Sequence, residues 1–232
     1  MKIGLQTLQV VLYTSSLDLS DKLGVAKVFS QSKKLNLKGE PSILPIPNDA
    51  PLEIPRVILK SKDGSRELTV SPARIDMFFK VIQVSKDGIP TLGIDSLKDE
   101  VKDSSKELAK NLKVFNANLN RAALVSNFII KLTESSKKYI LDKFIKKGTI
   151  KEPEEIKLHI LNKETIGEYK VNEWVRFETL RNIKNPKDDK ALRILIDINS
   201  VPEAKYNFTE KNIDSFYEKA LKLITEELKA LK

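Results

Sequence analysis

Apolar residues alternate with polar ones over several short segments in the first part of the chain, as expected for half-buried strands. Asp63 and Gly64 separate two of these segments and predict a β-hairpin. The last segment has an apolar side chain at every second position from Ile75 to Val81, on one face of a strand. The predicted strands are residues 6–13, residues 25–29 as a partner of the first strand, and residues 57–60, 67–70 and 74–84.

Prolines interrupt this pattern, since five of the ten in the chain lie between Pro41 and Pro55. Proline lacks a backbone donor and breaks helices, so this spacing excludes a helix and a central strand. We predict an extended connection that runs over the surface or along a sheet edge.

A helical period replaces the strand pattern in three places. Ser96 and Asp99 predict a capping box at the start of the first helix, and Gly148 is expected to end the second, which is rich in lysine. The third is expected to lie on the protein's own sheet, because pairing with a second copy usually shows stricter heptads. The predicted helices are residues 96–115, 136–147 and about 209–232. The strands expected between them are residues 121–132, 156–161, 166–180 and 192–198.

Each half of the chain therefore has several strands followed by a helix, which predicts an α+β fold with helices on one face of an antiparallel sheet. Residues 1–95 form the first half, residues 96–115 the dividing helix and residues 116–232 the second half. The chain has 232 residues, enough for two lobes or for one large domain, and both alternatives stay open. A duplication is compatible with this order, although no repeated residue pattern supports it.

The composition is that of a folded protein, with 41% apolar and 31% charged residues. The absence of cysteine excludes disulfides, thiolate metal sites, iron-sulfur clusters and cysteine nucleophiles. Apolar runs are far shorter than the roughly 20 residues that cross a bilayer, and the N-terminus lacks the pattern of a secretion signal. We therefore expect a cytoplasmic protein without a membrane partner.

A net charge of +9 suggests an anionic partner. Lysine supplies most of this charge, whereas arginine is the residue favoured at phosphates, so the charge is either functional or a consequence of a lysine-rich composition. The strongest basic patch lies on the second predicted helix, which is either a solvated face, the interpretation we favour, or an anion-binding surface. The candidate nucleic-acid-binding residues on it are Lys137, Lys138, Lys143, Lys146 and Lys147.

Few residues match a catalytic or cofactor motif. His159 is the only histidine, which excludes sites with several histidine ligands, and it is expected to be exposed or hydrogen-bonded on a strand. Gly88 and Gly93 have the spacing of a phosphate loop, but Ile94 and Asp95 stand where Lys and Ser or Thr are required. We predict no cofactor and no catalytic residue.

One arrangement fits a metal-dependent nuclease, which needs carboxylates for a divalent metal and a lysine near the phosphate. Glu155 and Lys157, and likewise Glu168 and Lys170, have the Glu-x-Lys spacing in strand-like segments, with Asp142 upstream. In a chain this rich in lysine the spacing also arises by chance, which is the interpretation we favour.

Trp174 lies in a segment where Trp174 and Arg176 alternate with Val175 and Phe177. Trp174 is either a buried anchor of the core, which we favour, or an aromatic residue on a binding surface.

Three segments and the hairpin after the first of them resemble a family of sporadically distributed bacterial conserved hypothetical proteins. The segments are residues 51–56 (Pro-Leu-Glu-Ile-Pro-Arg), 172–177 (Asn-Glu-Trp-Val-Arg-Phe) and 196–199 (Ile-Asp-Ile-Asn). The resemblance implies an α+β fold and an accessory or defence-related role, and it implies no catalytic residue.

The leading hypothesis is a non-catalytic binding or interaction protein with a protein partner, because catalytic motifs are missing and the proline-rich segment is suited to docking. The alternatives are a nucleic-acid-binding protein that uses the lysine-rich helix and a metal-dependent nuclease. Formation of a homo-oligomer stays open.

Overall fold

The computed structural model describes residues 1–15, 17–47, 49–86, 88–91, 93–145, 153–180 and 188–231. In this part of the chain, strands and four helices follow one another in an α+β arrangement. The strands are β1 (Lys2–Thr14), β2 (Ser42–Ile43), β3 (Val57–Lys60), β4 (Arg66–Val70), β5 (Arg74–Lys80), β6 (Leu119–Lys131), β7 (Lys157–Ile166), β8 (Tyr169–Leu180) and β9 (Ala191–Ser200). The helices are α1 (Lys22–Ser30), α2 (Lys98–Lys113), α3 (Ser136–Phe144) and α4 (Ile213–Ala230).

The described strands form one nine-stranded sheet in the order β2-β3-β4-β5-β1-β6-β9-β8-β7. Every pairing between neighbouring strands is antiparallel. β1 and β6 lie at the centre and join the strands of the first half of the chain to those of the second. The predicted α+β fold is confirmed.

The two halves repeat one order of elements. Each half begins with a long central strand, continues through a nine-residue helix (α1 or α3) and an antiparallel meander, and ends with a longer helix (α2 or α4). The first half has the short strand β2 in addition. A pseudo-twofold axis relates the halves, and it passes through the β1–β6 pair beside Val10 and Leu124. The structure therefore shows a repeat of architecture without a repeat of sequence.

The pairing register supports this symmetry. Val11 pairs with Asp76 of β5, and Val125 pairs with Asp197 of β9. Between the central strands, Val11 pairs with Ala123 while Val125 pairs with Gln9. Asp76 and Asp197 consequently occupy equivalent positions on the two sides of the axis.

All four helices pack against the same face of the sheet within the described residues. Along each strand, every second side chain joins one hydrophobic core together with the buried faces of the helices, for example Leu8, Leu124, Phe177 and Ile196. Burial of such alternating apolar side chains is the main driving force for this layered arrangement. No helix of the described residues packs on the opposite face of the sheet.

Several sequence predictions need correction. Residues 25–29 do not form a strand but lie in α1, where the Asp21 side chain caps the helix by accepting a hydrogen bond from the Gly24 amide. The predicted capping box at Ser96 is wrong, because a 3-10 turn occupies residues 94–97 and the Ser96 hydroxyl donates to the Gly93 carbonyl. Val25 and Val28 are β-branched, which favours a strand, whereas their spacing of three residues fits a helix.

The hairpin, the edge position of the proline-rich segment and the C-terminal helix are confirmed. Gly64 adopts a positive φ of 73° between β3 and β4, and Ser42–Ile43 of the proline-rich segment forms the edge strand β2. Helix α4 buries Phe216, Tyr217 and Ile224 completely against the protein's own sheet and α2. Helix α3 ends at Phe144, and the predicted end at Gly148 lies outside the described residues.

Candidate functional site

The face of the sheet that carries no helix is the candidate site, and we call it the open face. It consists of the strand side chains that point away from the hydrophobic core. These are Lys2, Thr7, Gln9, Val11, Tyr13, Ser42, Ile58, Lys60, Glu67, Thr69, Arg74, Asp76, Phe78, Lys80, Arg121, Ala123, Val125, Asn127, Ile129, Lys131, Lys157, His159, Leu161, Lys163, Thr165, Lys170, Asn172, Trp174, Arg176, Glu178, Leu180, Ala191, Arg193, Leu195, Asp197 and Asn199.

Apolar side chains on the open face are separate from the core. Val11 and Ala123 are almost fully buried by their strand neighbours, yet neither belongs to the hydrophobic core. Val125, Leu195 and Trp174 also lie on this face and are partly buried. Apolar surface outside the core is typical of an interaction site.

Charged side chains on the open face are mostly basic. Of the described residues on this face, eleven are Lys or Arg and four are Asp or Glu. The lysines lie at strand ends or on the outermost strand β7. Arg74 is also at a strand end, whereas Arg121, Arg176 and Arg193 lie within their strands. Four of the seven arginines in the chain are on this face, at positions 74, 121, 176 and 193.

Each acidic side chain on the open face is bound to a cation. Glu67 contacts Lys60 at 3.6 Å and Lys80 at 2.6 Å. Glu178 contacts Lys157 at 3.7 Å and Arg193 at 2.9 Å. Two acids outside the face also pair with lysines at its perimeter. Glu155 pairs with Lys157, and Asp188 pairs with Lys131.

Asp76 is the centre of a hydrogen-bonded cluster on the first half of the open face. Its carboxylate accepts hydrogen bonds from Arg74 Nε at 2.9 Å, Gln9 Nε2 at 2.8 Å and Thr69 Oγ1 at 3.4 Å. The donors come from β5, β1 and β4, so the sheet itself fixes their positions. The buried carboxylate is thereby satisfied as a low-polarity environment requires.

Asp197 is the equivalent centre on the second half. It accepts a hydrogen bond from Asn199 Nδ2 at 3.0 Å and lies 4.0 Å from Arg176 Nη2. Burial raises the pKa of Asp197, and the hydrogen bond from Asn199 and the charges of Arg176 and Arg121 partly oppose this effect. Arg176 also lies 5.4 Å from the centre of the Trp174 ring, within the range of a cation-π contact.

Tyr13 lies between these two clusters. The Arg121 guanidinium is 4.4 Å from the centre of the Tyr13 ring, and Arg121 Nε donates to the Ser200 carbonyl at 3.2 Å. Burial raises the pKa of Tyr13, although the charges of Arg121 and Arg74 oppose this shift. Tyr13 therefore remains a neutral phenol at physiological pH and acts as an aromatic and hydrogen-bonding group.

The geometry does not favour acid-base catalysis by the two aspartates. Asp76 and Asp197 are separated by β1 and β6, which corresponds to three strand spacings or roughly 14 Å. Carboxylates that act as a catalytic pair lie at most about 9.5 Å apart. Among the described residues, no three Asp, Glu or His side chains form a group suited to a metal ion.

The candidate lysines of the lysine-rich helix lie away from the open face. Helix α3 packs on the core side of β8, where Phe144 contacts Phe177 with ring centres 4.7 Å apart. Lys137 pairs with Asp189, Lys138 pairs with Glu134, and Lys143 Nζ donates to the Ala230 carbonyl. Lys146 and Lys147 lie outside the described residues.

The residues of the nuclease hypothesis are not brought together. Glu155 and Lys157 lie at the start of β7, whereas Glu168 lies in the turn after its last residue. The ten residues of β7 separate them by roughly 30 Å. Glu168 instead pairs with Lys219 of α4 at 2.6 Å.

Two other predictions concern the open face directly. His159 is exposed on β7, as predicted. The favoured interpretation of Trp174 as a core anchor is wrong, because its strand alternation places it on the open face. The sequence showed that Trp174 and Arg176 share a face, but it did not show which face the helices cover. Tyr13, Asp76, Arg121 and Asp197 were missed altogether.

A groove of about 440 Å³ lies on the helix side, between α4 and the 3-10 turn before α2. Its lining alternates lysines and acids, including Lys98, Glu218, Lys222 and Glu226. The mixed signs leave no concentrated charge, so the open face is the stronger candidate.

Glu173 on the core side gives a pH-dependent prediction. It is 1% exposed, its Oε1 has no hydrogen-bond partner, and burial and the nearby Glu227 and Glu164 raise its pKa. A raised folded-state pKa favours the protonated form in the folded state, so stability should fall as the pH rises above about 4.3, the value for unfolded Glu. Glu173→Gln should therefore raise the free energy of unfolding at pH 7.5 by about 1–3 kcal/mol.

Urea unfolding of both forms at pH 4.5 and pH 7.5 measures this effect, and the gain should shrink at the lower pH. Glu203→Gln is a matched control at an exposed position. A loss of stability in Glu173→Gln at pH 7.5 would show that the ionised carboxylate is stabilising instead.

Comparison with known proteins does not identify a family, since the sequence matches no protein-family model and no curated protein. No helix in the described part of the chain combines the length and apolar character that a membrane span requires.

Proposed function

We propose that this protein is a non-catalytic binding protein and that the open face of its sheet is the binding surface. One observation carries the proposal: a nine-stranded sheet leaves one face without a helix, and that face holds Trp174, Tyr13 and four arginines. The segment around Ile89 and Pro90 approaches this face beside Gly4. A sheet face with apolar side chains on which no helix of the described residues packs is typical of an interaction site.

The distribution of residue types supports this proposal. Tryptophan, tyrosine and arginine are the residues that contribute most to binding interfaces, and lysine is depleted from interface centres. On the open face Tyr13 and Arg121 lie on the two central strands, near one end of each, and Trp174 lies on β8, whereas Lys163 lies on the edge strand β7. The residue types that contribute most to interfaces therefore share this face with lysines at its border.

The segments that resemble the sporadically distributed bacterial family also meet at this surface. Residues 172–177 contribute Trp174 and Arg176, and residues 196–199 contribute Asp197 and Asn199. Leu52 of the segment 51–56 accepts a hydrogen bond from the amide of Ala73, next to Arg74, at 3.2 Å. The resemblance adds the proposal that binding serves an accessory or defence-related role.

Retention from the native lysate tests the proposed function. Immobilised protein should retain a specific partner, whereas the double variant Trp174→Ala with Lys163→Glu should lose it. Both changes are on the open face, and Lys163 is exposed, so the fold should survive. Lys222→Ala, on the helix side, is the matched control and should retain the partner.

Mass spectrometry of the retained fraction identifies a protein partner, and nucleic-acid staining reveals a nucleic-acid partner. Equal retention by the wild type and the double variant would contradict binding at the open face. Turnover of a substrate by purified protein would contradict the non-catalytic assignment.

A further inference from the structure

In the described part of the chain, positive charge is concentrated on the open face. Eleven Lys and Arg against four Asp and Glu give a net of seven positive charges there, and Glu155 and Asp188 at its perimeter neutralise two of them. A charge that only reflected lysine-rich composition would be spread over the entire surface. Because the four acids are already bound to cations, the excess charge is available to an anionic partner.

Aromatic side chains lie among these cations. Phe78 and Trp174 share one row across the sheet, with β1, β6 and β9 between their strands. Tyr13 lies further along β1, beside Arg121. Partly buried rings on a basic surface suit the stacking of bases, which contributes about 1–3 kcal/mol per base.

Uncharged polar side chains fill positions between the rings. Gln9, Asn127, Asn172 and Asn199 lie on the open face, and Oδ1 of Asn127 is buried without a hydrogen-bond partner. Amides donate and accept, so they suit both base edges and the 2′-hydroxyl that distinguishes RNA from DNA.

The width of the sheet excludes groove recognition of a duplex. Nine strands span eight spacings, or roughly 38 Å, whereas the DNA major groove of about 12 Å admits a helix or a two-stranded ribbon. A single strand, in contrast, presents unstacked bases that can stack on rings at the surface of a sheet.

We propose that the open face binds single-stranded RNA through its arginines, its aromatic rings and its amides, an inference that rests on the proposed function. The phosphates contact the arginines and the perimeter lysines, while bases stack on the separate rings of Trp174, Tyr13 and Phe78. The lysine-rich helix α3 takes no part in this binding.

Fluorescence anisotropy with a labelled oligouridine of about 20 nucleotides tests the inference directly. The wild type should bind, and its affinity should fall steeply between about 50 and 200 mM salt as counterions compete. Trp174→Ala should weaken binding about tenfold, which corresponds to about 1.4 kcal/mol. Trp174→Phe should retain most of the affinity, and Lys163→Glu should reduce the salt dependence.

Controls on the helix side keep the test specific. Leu23→Ala and Lys222→Ala replace exposed side chains there and should bind as the wild type does. Oligothymidine and an RNA duplex of the same length should bind several-fold more weakly. Circular dichroism of each variant confirms that it is folded.

Three results would overturn the inference. The first is no binding of oligouridine at low salt. The second is binding of oligothymidine or duplex as tight as that of oligouridine. The third is loss of binding when Lys137, Lys138 and Lys143 are changed to Glu, while the open-face variants bind normally. If oligouridine fails to bind but a protein from the lysate is retained through Trp174, the RNA inference fails and the proposed function stands.

Discussion

Replacing Phe216 by alanine is expected to lower the free energy of unfolding by about 3–5 kcal/mol, a large part of the stability of an ordinary domain. Phe216 is completely buried. Its ring lies 5.3–5.5 Å from those of Tyr169, Phe208 and Tyr217. Alanine leaves a cavity in this aromatic cluster, since several of its members are on different elements and cannot all collapse into it. Urea denaturation with two spectroscopic probes measures the change.

Ile224→Ala tests the same apolar stripe about two turns further along α4 and should lower the free energy of unfolding by about 2–5 kcal/mol. Val114→Ala is the matched control, because Val114 is 65% exposed and its truncation should change stability by less than about 0.5 kcal/mol. The melting temperature of the wild type should not depend on protein concentration. If it rises with concentration, or if neither truncation destabilises the protein, the stripe does not belong to the protein's own core.

Arg56→Ala is expected to have the second largest effect, a loss of about 2–4 kcal/mol. Arg56 is 3% exposed, and its guanidinium donates to the carbonyls of the proline-rich segment at Ile54, Ala50, Pro47 and Pro51. The Pro47 and Pro51 carbonyls also accept from the amides of Ala50 and Ile54. The loss in Arg56→Ala therefore falls mainly on the Ile54 and Ala50 carbonyls, to which the guanidinium donates.

Hydrogen-deuterium exchange locates this effect. The amides of Leu44, Ala50 and Ile54 form backbone hydrogen bonds within or beside the segment and should exchange faster in Arg56→Ala. Arg56→Lys keeps the charge but not the fork of donors, so it should recover little of the stability. Unchanged exchange at these amides would show that the segment holds its shape without Arg56.

Most of the strands and three of the helices could be predicted from the sequence, because their apolar periods are long enough to be distinctive. The exception is α1, where Val25, Val28 and Phe29 fit both a strand and a helix. The capping interaction of Asp21 with the Gly24 amide decides between them. The corresponding signal in the sequence is an Asp shortly before an apolar run.

The candidate site was harder to predict than the fold. Strand alternation showed which side chains share a face with Trp174, but the choice between core and open face depends on where the helices pack. Asp76 and Asp197 are equivalent in the structure although 121 positions separate them in the sequence. Pairing between distant strands brings such residues together, and local patterns contain no information about it.

The central claim is that the open face is the surface at which this protein binds its partner, and the single tryptophan of the chain allows a direct measurement. Protein labelled with 5-fluorotryptophan should give one ¹⁹F resonance, from Trp174. Addition of the partner retained from the native lysate, whether RNA or protein, should shift or broaden this resonance until binding saturates. A resonance that stays unchanged while the partner binds to saturation would place the interface elsewhere and contradict the account.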